Sequence, residues 1–444
     1  MTIGGGTVFE FAGTKVISAT LIEEINPISV EVPINTIEFK ILNTDSSFSM
    51  FSGTYFQLLS ERLPVLVYEN VDGVNSFLGK FYLENWENVS ASEFAFKAVD
   101  IMGVMDATDY DGGFWSVPTT LEAVLTAVLN PINVLFTVDA TIKDTLISGW
   151  IPPSNYRTAL QHICFAAGAT ASTSRSQTLD ITPVKLLERS YNIEVTDSEK
   201  SVNQAIKLLP LVTNIELVSH DYTQGLVIET IFDKYLDAGS HKIIFEKPYY
   251  DIVVNGPGYS PSLLITEDGD FFVAEDDDYF EVGGEYVFGP NALYLEMDVA
   301  GTITVTGYPW LDSKRAYVFN ETGVSEFTNK NTKLIAEATM VSTANAQTVL
   351  DQVRDYYRQR YTQNITLLPS TIQTDDIIYT GTPNQSHILA SVQKMNMNLT
   401  GGYLAKTDIL GVQAIDYRQP RTGIAVCGAD LTRQNAFRRY QYAI

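Results

Sequence analysis

Residues 63–100, LPVLVYENVDGVNSFLGKFYLENWENVSASEFAFKAVD, decide the fold class. LPVLVYE and FLGKFYLENWENV carry the aromatic and β-branched residues that suit a pleated, half-buried surface. NVDGVN separates them, and its Asp72-Gly73 pair tolerates the positive φ that a tight hairpin turn demands. In SEFAFKAVD, the residues Phe94, Phe96 and Ala98 alternate onto one face, which is the period of a strand. Toward the N-terminus, VFEFAG, KVISATLIEEI and VPINTIEFKIL add further strands. Alternation in the last is imperfect, as expected of a closed or doubly covered sheet. Antiparallel strands this dense must cover their edges, by closing into a barrel or by pairing with a neighbour.

Beyond this block, DYDGGFWSVP marks a boundary, with Gly112 and Gly113 permitting a tight reversal. Pro118 precedes a helix, and Thr119 to Glu122 reads as a capping box. In TTLEAVLTAVL, Leu121, Val124, Leu125 and Val128 fall on one helical face. A strand, FTVD, comes next; Pro152-Pro153 then stop one element and Asn155 caps another helix with Tyr156, Ala159, Leu160, Ile163 and Ala167 at helical spacing. SVNQAIKLL, residues 201–209, predicts a further short helix. Strands return from 211 to 340, a helix is predicted over 342–361, and NITLLP, HILASVQKMNMNLT and GYLAKTDILGVQAI close the chain as strands. The expected architecture is mainly β with an α+β insertion. It divides into a β-barrel-like domain at 1–115, an α+β domain at 116–210, a second β-rich domain with peripheral strands and one helix at 211–415, and an extension at 416–444.

Composition narrows function. The 444 residues carry 53 acids against 29 bases, a formal net charge of -24. Such a field repels nucleic-acid phosphates, so no nucleic-acid partner is expected. Four histidines, His162, His220, His241 and His387, stand apart in the sequence, which lowers the odds of acid–base catalysis or metal binding. Cys164, in an apolar helix, reads as a small buried hydrophobe; a bridge to Cys427 stays open, although the chain does not read as a disulfide scaffold. The N-terminus lacks the pattern of a signal peptide, and no apolar run is long enough to span a membrane, so a soluble chain is expected.

Groups with chemical potential have plainer readings beside the sharper ones. Asp268, Asp270, Glu275, Asp276, Asp277 and Asp278 offer oxygen ligands for calcium, yet the EF-hand spacing is absent and Asp268-Gly269 reads as the turn of a solvated hairpin. Asp109 and Asp111 are paired carboxylates, but two residues this close in a Gly-rich turn do not make a glycosidase cleft. Ser172, Ser174 and Ser176 surround Arg175 without a nucleophile elbow. HExxH, the P-loop and a strand-borne GxGxxG are all missing. Trp86, Trp115, Trp150 and Trp310 are suited to sugar stacking, and more commonly to core or interface packing. No catalytic, cofactor-binding or metal-binding residue is assigned, and no cofactor is expected.

Three segments carry a resemblance. They are FLGKFYLENWENVSASEFAFKAVDIMGVMDATDYDGG (77–113), ISGWIPPSNYRTALQHICFAAGATASTSRS (147–176) and VQKMNMNLTGGYLAKTDILGV (392–412). Their order and phrasing resemble hub or baseplate tail proteins of phages and prophages of Gram-positive bacteria. The first is similar to a Trp-containing hub strand pair followed by an aspartate-rich turn. The second is similar to the proline turn and Arg157-containing helix of an inserted domain, and the third to a last hub hairpin with Gly401-Gly402 before the final strand. The resemblance implies a non-enzymatic structural subunit with two β-barrel-like hub domains, forming a homotrimer that joins the tail tube to spike, fibre or baseplate proteins. It also implies the tape-measure protein as a neighbour, a role in host attachment, and a place in a virion tail or tail-like particle assembled in the host cytoplasm. Long members of such families carry a C-terminal peptidoglycan hydrolase. This chain is read as having no room for one, which favours structure over lysis. A carbohydrate- or receptor-binding tail protein and a cell-wall hydrolase are the alternative readings. Arg157, Arg175, Lys394 and Lys406 are the candidate cations to relieve acidic contacts between copies, with an ordinary solvated surface charge as the plainer reading of each.

Overall fold

The computed structural model describes residues 2–4, 8–28, 31–51, 53–71, 74–185, 191, 193–201, 205–257, 286–325, 328–368, 371–382, 386–400 and 404–414. The first strands are β1 (Thr2–Gly4), β2 (Val8–Glu10), β3 (Val16–Glu24), β4 (Thr36–Leu42), β5 (Pro64–Val71), β6 (Val74–Ser90) and β7 (Glu93–Val99). They lie in the order β3-β4-β7-β6-β5-β1-β2. Alternation places Phe94, Phe96 and Ala98 inside. Phe39 of β4 faces Phe96 across the ladder with the two rings stacked at 5.0 Å. The Asp72-Gly73 turn lies outside the described residues.

A helical module follows. It comprises α1 (Ile101–Asp106), β8 (Asp109–Tyr110), β9 (Gly113–Thr120), α2 (Leu121–Leu129), β10 (Phe136–Val138), β11 (Leu146–Ile151), β12 (Ser154–Asn155), α3 (Tyr156–Ala167), β13 (Ala169–Ser172) and β14 (Leu179–Pro183). Gly112 turns the chain at φ +83°, and a Cβ there would lie 2.6 Å from the Ile151 carbonyl oxygen. The cap of α2 is Thr120, one residue beyond the expected Thr119, whose hydroxyl instead donates to the Val117 carbonyl. Asn155 caps α3 as its sequence predicts, accepting from the Thr158 N–H at 2.8 Å. Leu121, Val124, Leu125 and Val128 of α2 pack with Ala159, Leu160 and Ile163 of α3 in one apolar core.

The remaining elements are β15 (Ile193–Val195), β16 (Ile206–Leu208), β17 (Asn214–Gln224), β18 (Glu229–Leu236), β19 (Gly239–Ile244), β20 (Tyr249–Asn255), β21 (Tyr286–Phe288), β22 (Ala292–Met297), β23 (Gly301–Asn320), β24 (Thr332–Ile335), α4 (Ala346–Tyr357), β25 (Tyr361–Leu367), β26 (Ile377–Gly381), β27 (His387–Asn398) and β28 (Leu404–Gln413). The helix expected over 201–209 is corrected: Ile206–Leu208 is a strand paired to β25, because an available sheet edge outweighs weak helical periodicity in so short a stretch. α4 buries Ala346, Val349, Leu350 and Val353 against the helical module, so its core draws on both sides of the expected boundary at 210.

The sheet also crosses those boundaries. β16, β25, β28 and β27 continue directly into β3, giving one 13-stranded sheet, with β26 and β15 branching from β27. The join is five residues long and antiparallel, from Lys394↔Glu24 to Asn398↔Thr20. Leu21, Met395 and Met397 are fully buried there, within one core shared by both halves. Outside, the Lys394 ammonium donates to the Glu24 carboxylate at 2.6 Å. Apolar burial dominates this join, since a half-exposed ion pair contributes little. Accordingly, Leu21→Ala should cost about 2–5 kcal/mol. Lys394→Ala should cost under about 1 kcal/mol. Urea unfolding followed by tryptophan fluorescence measures both.

Candidate functional site

The histidines separated in sequence are not all separated in space. His220 on β17 is buried, with Nδ1 at 2.8 Å from Asp312 Oδ2 on β23 and Nε2 at 2.8 Å from the Ala336 carbonyl oxygen. His162 on α3 lies beside it, its Nδ1 3.3 Å from Thr339 Oγ1. Burial, and then the nearby His220, pushes the His162 imidazole down to about 4, so it is neutral near pH 7. A His–Asp pair is half of a nucleophile-activating triad. Here the distal nitrogen is occupied by a backbone carbonyl and presents no base to a substrate. The arrangement pins the segment after β24 onto the β17–β23 ladder. His387 stacks on Tyr379 at 5.0 Å, and His241 Nε2 meets the Asp237 carbonyl oxygen.

Asp111 and the tryptophans, among the other candidates, are held in internal contacts. Asp111 is held by the Lys242 ammonium and the Tyr294 hydroxyl, which tie the β8–β9 turn to β19 and β22. Asp109 sits exposed in β8. Burial pushes the Cys164 thiol up to about 12, an unreactive state. The acidic residues from Asp268 to Asp278, and Cys427, lie outside the described residues. All four tryptophans are half-buried: the Trp150 indole N–H donates to Asn291 at 2.6 Å, and Trp310 packs between Phe114 and Tyr250. Among the described residues, no group of three or more His, Cys, Asp or Glu side chains gathers as metal ligands. No described helix is long and apolar enough to cross a membrane.

Three of the four cations expected at contacts between copies are used within the chain. Arg157 on α3 reaches Asp106 at 3.0 Å and Glu31 at 3.2 Å, and donates to the Val32 carbonyl. Lys394 is held by Glu24, and Arg175 lies 3.6 Å from the buried Glu23. Lys406 alone stays exposed, with no ion pair among the described residues. Arg175 sits at φ +57° in the β13–β14 turn and brings that turn down onto the β3–β27 join. Burial raises the Glu23 carboxyl above its ordinary value, partly offset by Arg175 and Ser174.

Beside it runs a buried relay: Asn35 Nδ2 donates to Thr173 Oγ1 at 3.0 Å, and Thr173 donates to Asp100 Oδ2 at 2.7 Å. Asp100 Oδ1 in turn accepts from the Met102 and Gly103 N–H groups, capping α1. Thr173 and Arg175 thus serve a docking contact between module and sheet, while Ser172 and Ser176 bond within their own turn. The remaining depression of note, lined by Lys80, Tyr82, Asn133 and Thr178, is small. The sequence gives no local signal for these contacts, because each joins residues far apart in the chain.

No family model matches the chain, and no curated protein matches its sequence. Solved structures do. The tail protein from Neisseria meningitidis MC58 is 10% identical with a TM-score of 0.50, over 91% of this chain and 94% of that one. A prophage tail protein from Listeria monocytogenes is 9% identical with a TM-score of 0.48, over 92% and 93%. The 43 kDa tail protein of prophage MuSo2 from Shewanella oneidensis is 8% identical with a TM-score of 0.47, over 93% and 97%. At the level of the Neisseria protein, the likeness is one of fold.

The relay carries a pH signature. Burial raises the Asp100 carboxyl from 3.8 to about 6, against opposing hydrogen bonds from Thr173 and backbone groups. A carboxyl that binds its proton more tightly when folded adds stability below its ordinary value, and that stability is lost as pH rises through the folded value. Asp100→Asn keeps the cap and removes the titration. Its melting temperature should fall less than that of wild type between pH 3.8 and about 6, as read by calorimetry.

Proposed function

We propose that the chain is a non-catalytic structural subunit of a phage-type tail or phage-tail-like particle, at the hub or baseplate, joining tail tube to spike or fibres. The observation that carries this reading is the fold shared with the Neisseria tail protein along nearly the full length of both chains. The interior is consistent with it: the titratable groups described above are committed to docking one part of the chain onto another. Self-association as a homotrimer, with tube, tape-measure and spike or baseplate proteins as neighbours, belongs to the same reading. So do a place in the virion tail, assembly in the host cytoplasm, and a share in host attachment.

Two measurements test it. Zymography on Gram-positive cell walls should show no clearing. Clearing abolished by replacing one carboxylate would make the chain a hydrolase. A cryo-EM map of the particle should show three copies around the tail axis. Six or more copies around the outside would move the protein to the peripheral baseplate, and a capsid position would remove the tail assignment.

A further inference from the structure

Three long strands each serve more than one partner. β27 takes β28 along one side, and β26 followed by β3 along the other. β6 and β23 are less completely used. β5 pairs with β6 only up to Tyr82, while β7 takes the opposite side out to Ser90. Residues Glu84–Ser90 therefore have a strand on one side only among the described residues, and all but Trp86 are exposed. On β23, β18 and β20 flank residues 301–309 and β17 flanks 310–320. Residues Leu311–Asn320 likewise have one strand neighbour among the described residues, and all but Tyr317 and Phe319 are exposed. Every second residue of such a half-paired strand directs its backbone N–H and C=O outward, ready to template another strand.

The two open edges differ in charge. Glu84–Ser90 contains Glu84 and Glu87 and no base. Glu84 is paired to Lys97, leaving Glu87 without an ion-pair partner among the described residues. Leu311–Asn320 contains Lys314 and Arg315, and its one acid, Asp312, is turned to His220 and Lys314. Arg315 lies over the Tyr317 ring with no carboxylate partner among the described residues. Charges on open edges oppose pairing of like with like, and these two edges carry opposite unpaired charges. An edge that repels its own kind and attracts the other cannot make a two-fold interface from either one alone. It makes a head-to-tail contact, which forms a ring where the rotation between copies closes and a filament where it does not.

We propose that the Glu84–Ser90 edge of one copy pairs with the Leu311–Asn320 edge of the next, so that the chain assembles head to tail through a strand ladder shared between copies. This deepens the tail-subunit reading and rests on its self-association. It names the contact, with Glu87 of one copy set against the basic edge of its neighbour.

The test uses the full chain. Arg315→Glu and Glu87→Lys should each raise the concentration at which oligomer forms by about tenfold, as when an attractive cross-strand pair becomes repulsive. The double variant should return to near the wild-type value, with circular dichroism unchanged throughout. Analytical ultracentrifugation gives the concentrations. In a Cys427→Ser background, Glu87→Cys and Arg315→Cys chains should form disulfide-linked dimers under mild oxidation when mixed, and not when separate. A wild-type oligomer indifferent to both charge reversals, a double variant that stays dissociated, a wild type monomeric at every concentration, or no cross-link in the mixture would each overturn the edge pairing. Three axial copies in the particle map whose edges do not meet would leave the hub reading standing and remove this inference alone.

Discussion

Five residue pairs between β3 and β27 hold the two ends of the chain together. Glu24 and Lys394 meet across that ladder although 370 positions separate them in sequence. Closing so long a loop costs entropy that grows only slowly with length, so the join is affordable if it buries enough. It does so by making one core of two: Leu21 and Phe39 on one side pack in the same cluster as Met395, Met397 and Ile409 on the other. Without this ladder each half would expose a strand edge and the flank of a core. The join therefore turns two lobes into one sheet.

The same constraint dictates where polar groups lie. Glu23 shares the inward face of β3 with Leu21, so the alternation that buries leucine buries a carboxylate. An unpaired carboxylate in that position would be strongly unfavourable, and Arg175 comes from the β13–β14 turn to face it. The Asn35–Thr173–Asp100 relay runs alongside and ends at the cap of α1. Through these contacts the helical module is oriented by the sheet join. Docking sets Arg175 3.6 Å from the buried Glu23 carboxylate, an ion pair without a hydrogen bond between the two, and completes the hydrogen-bonded Asn35–Thr173–Asp100 relay beside it.

How much of this was legible in sequence follows from the range of each interaction. Strand and helix identity came from local alternation and capping: Phe94, Phe96 and Ala98 on β7 and Asn155 at the head of α3 lie as predicted, and α4 (Ala346–Tyr357) falls within the helix expected over 342–361. The stretch at 201–209 misled because nine residues carry weak helical periodicity, and pairing of Ile206–Leu208 with Thr362 and its neighbours outweighs it. The β3–β27 join, the His162–His220 neighbourhood and the Glu23–Arg175 contact have no local signature at all. Each depends on register between distant strands, which a period of two leaves undetermined. The cations were visible as residues but not as partners: Arg157 and Arg175 read as surface charges until the fold set carboxylates beside them.

The pairing of these cations within the chain changes how its charge bears on the proposed contact between copies. A formal charge of -24 suggests a uniformly repulsive surface. The structure is more selective, since Arg157, Arg175 and Lys394 are paired with carboxylates of the same chain, leaving fewer free bases than composition implies. The proposed contact between copies calls for a place where acidic density is low or where an unpaired base remains. The outer half of β23 meets that condition with Arg315, and it also offers backbone groups with no strand beside them among the described residues. Backbone pairing supplies affinity without regard to side-chain sign, and the charges choose which edge it is spent on. In the proposed assembly, repulsion disfavours contact over most of an acidic surface, and an edge that escapes repulsion is left as the place for it.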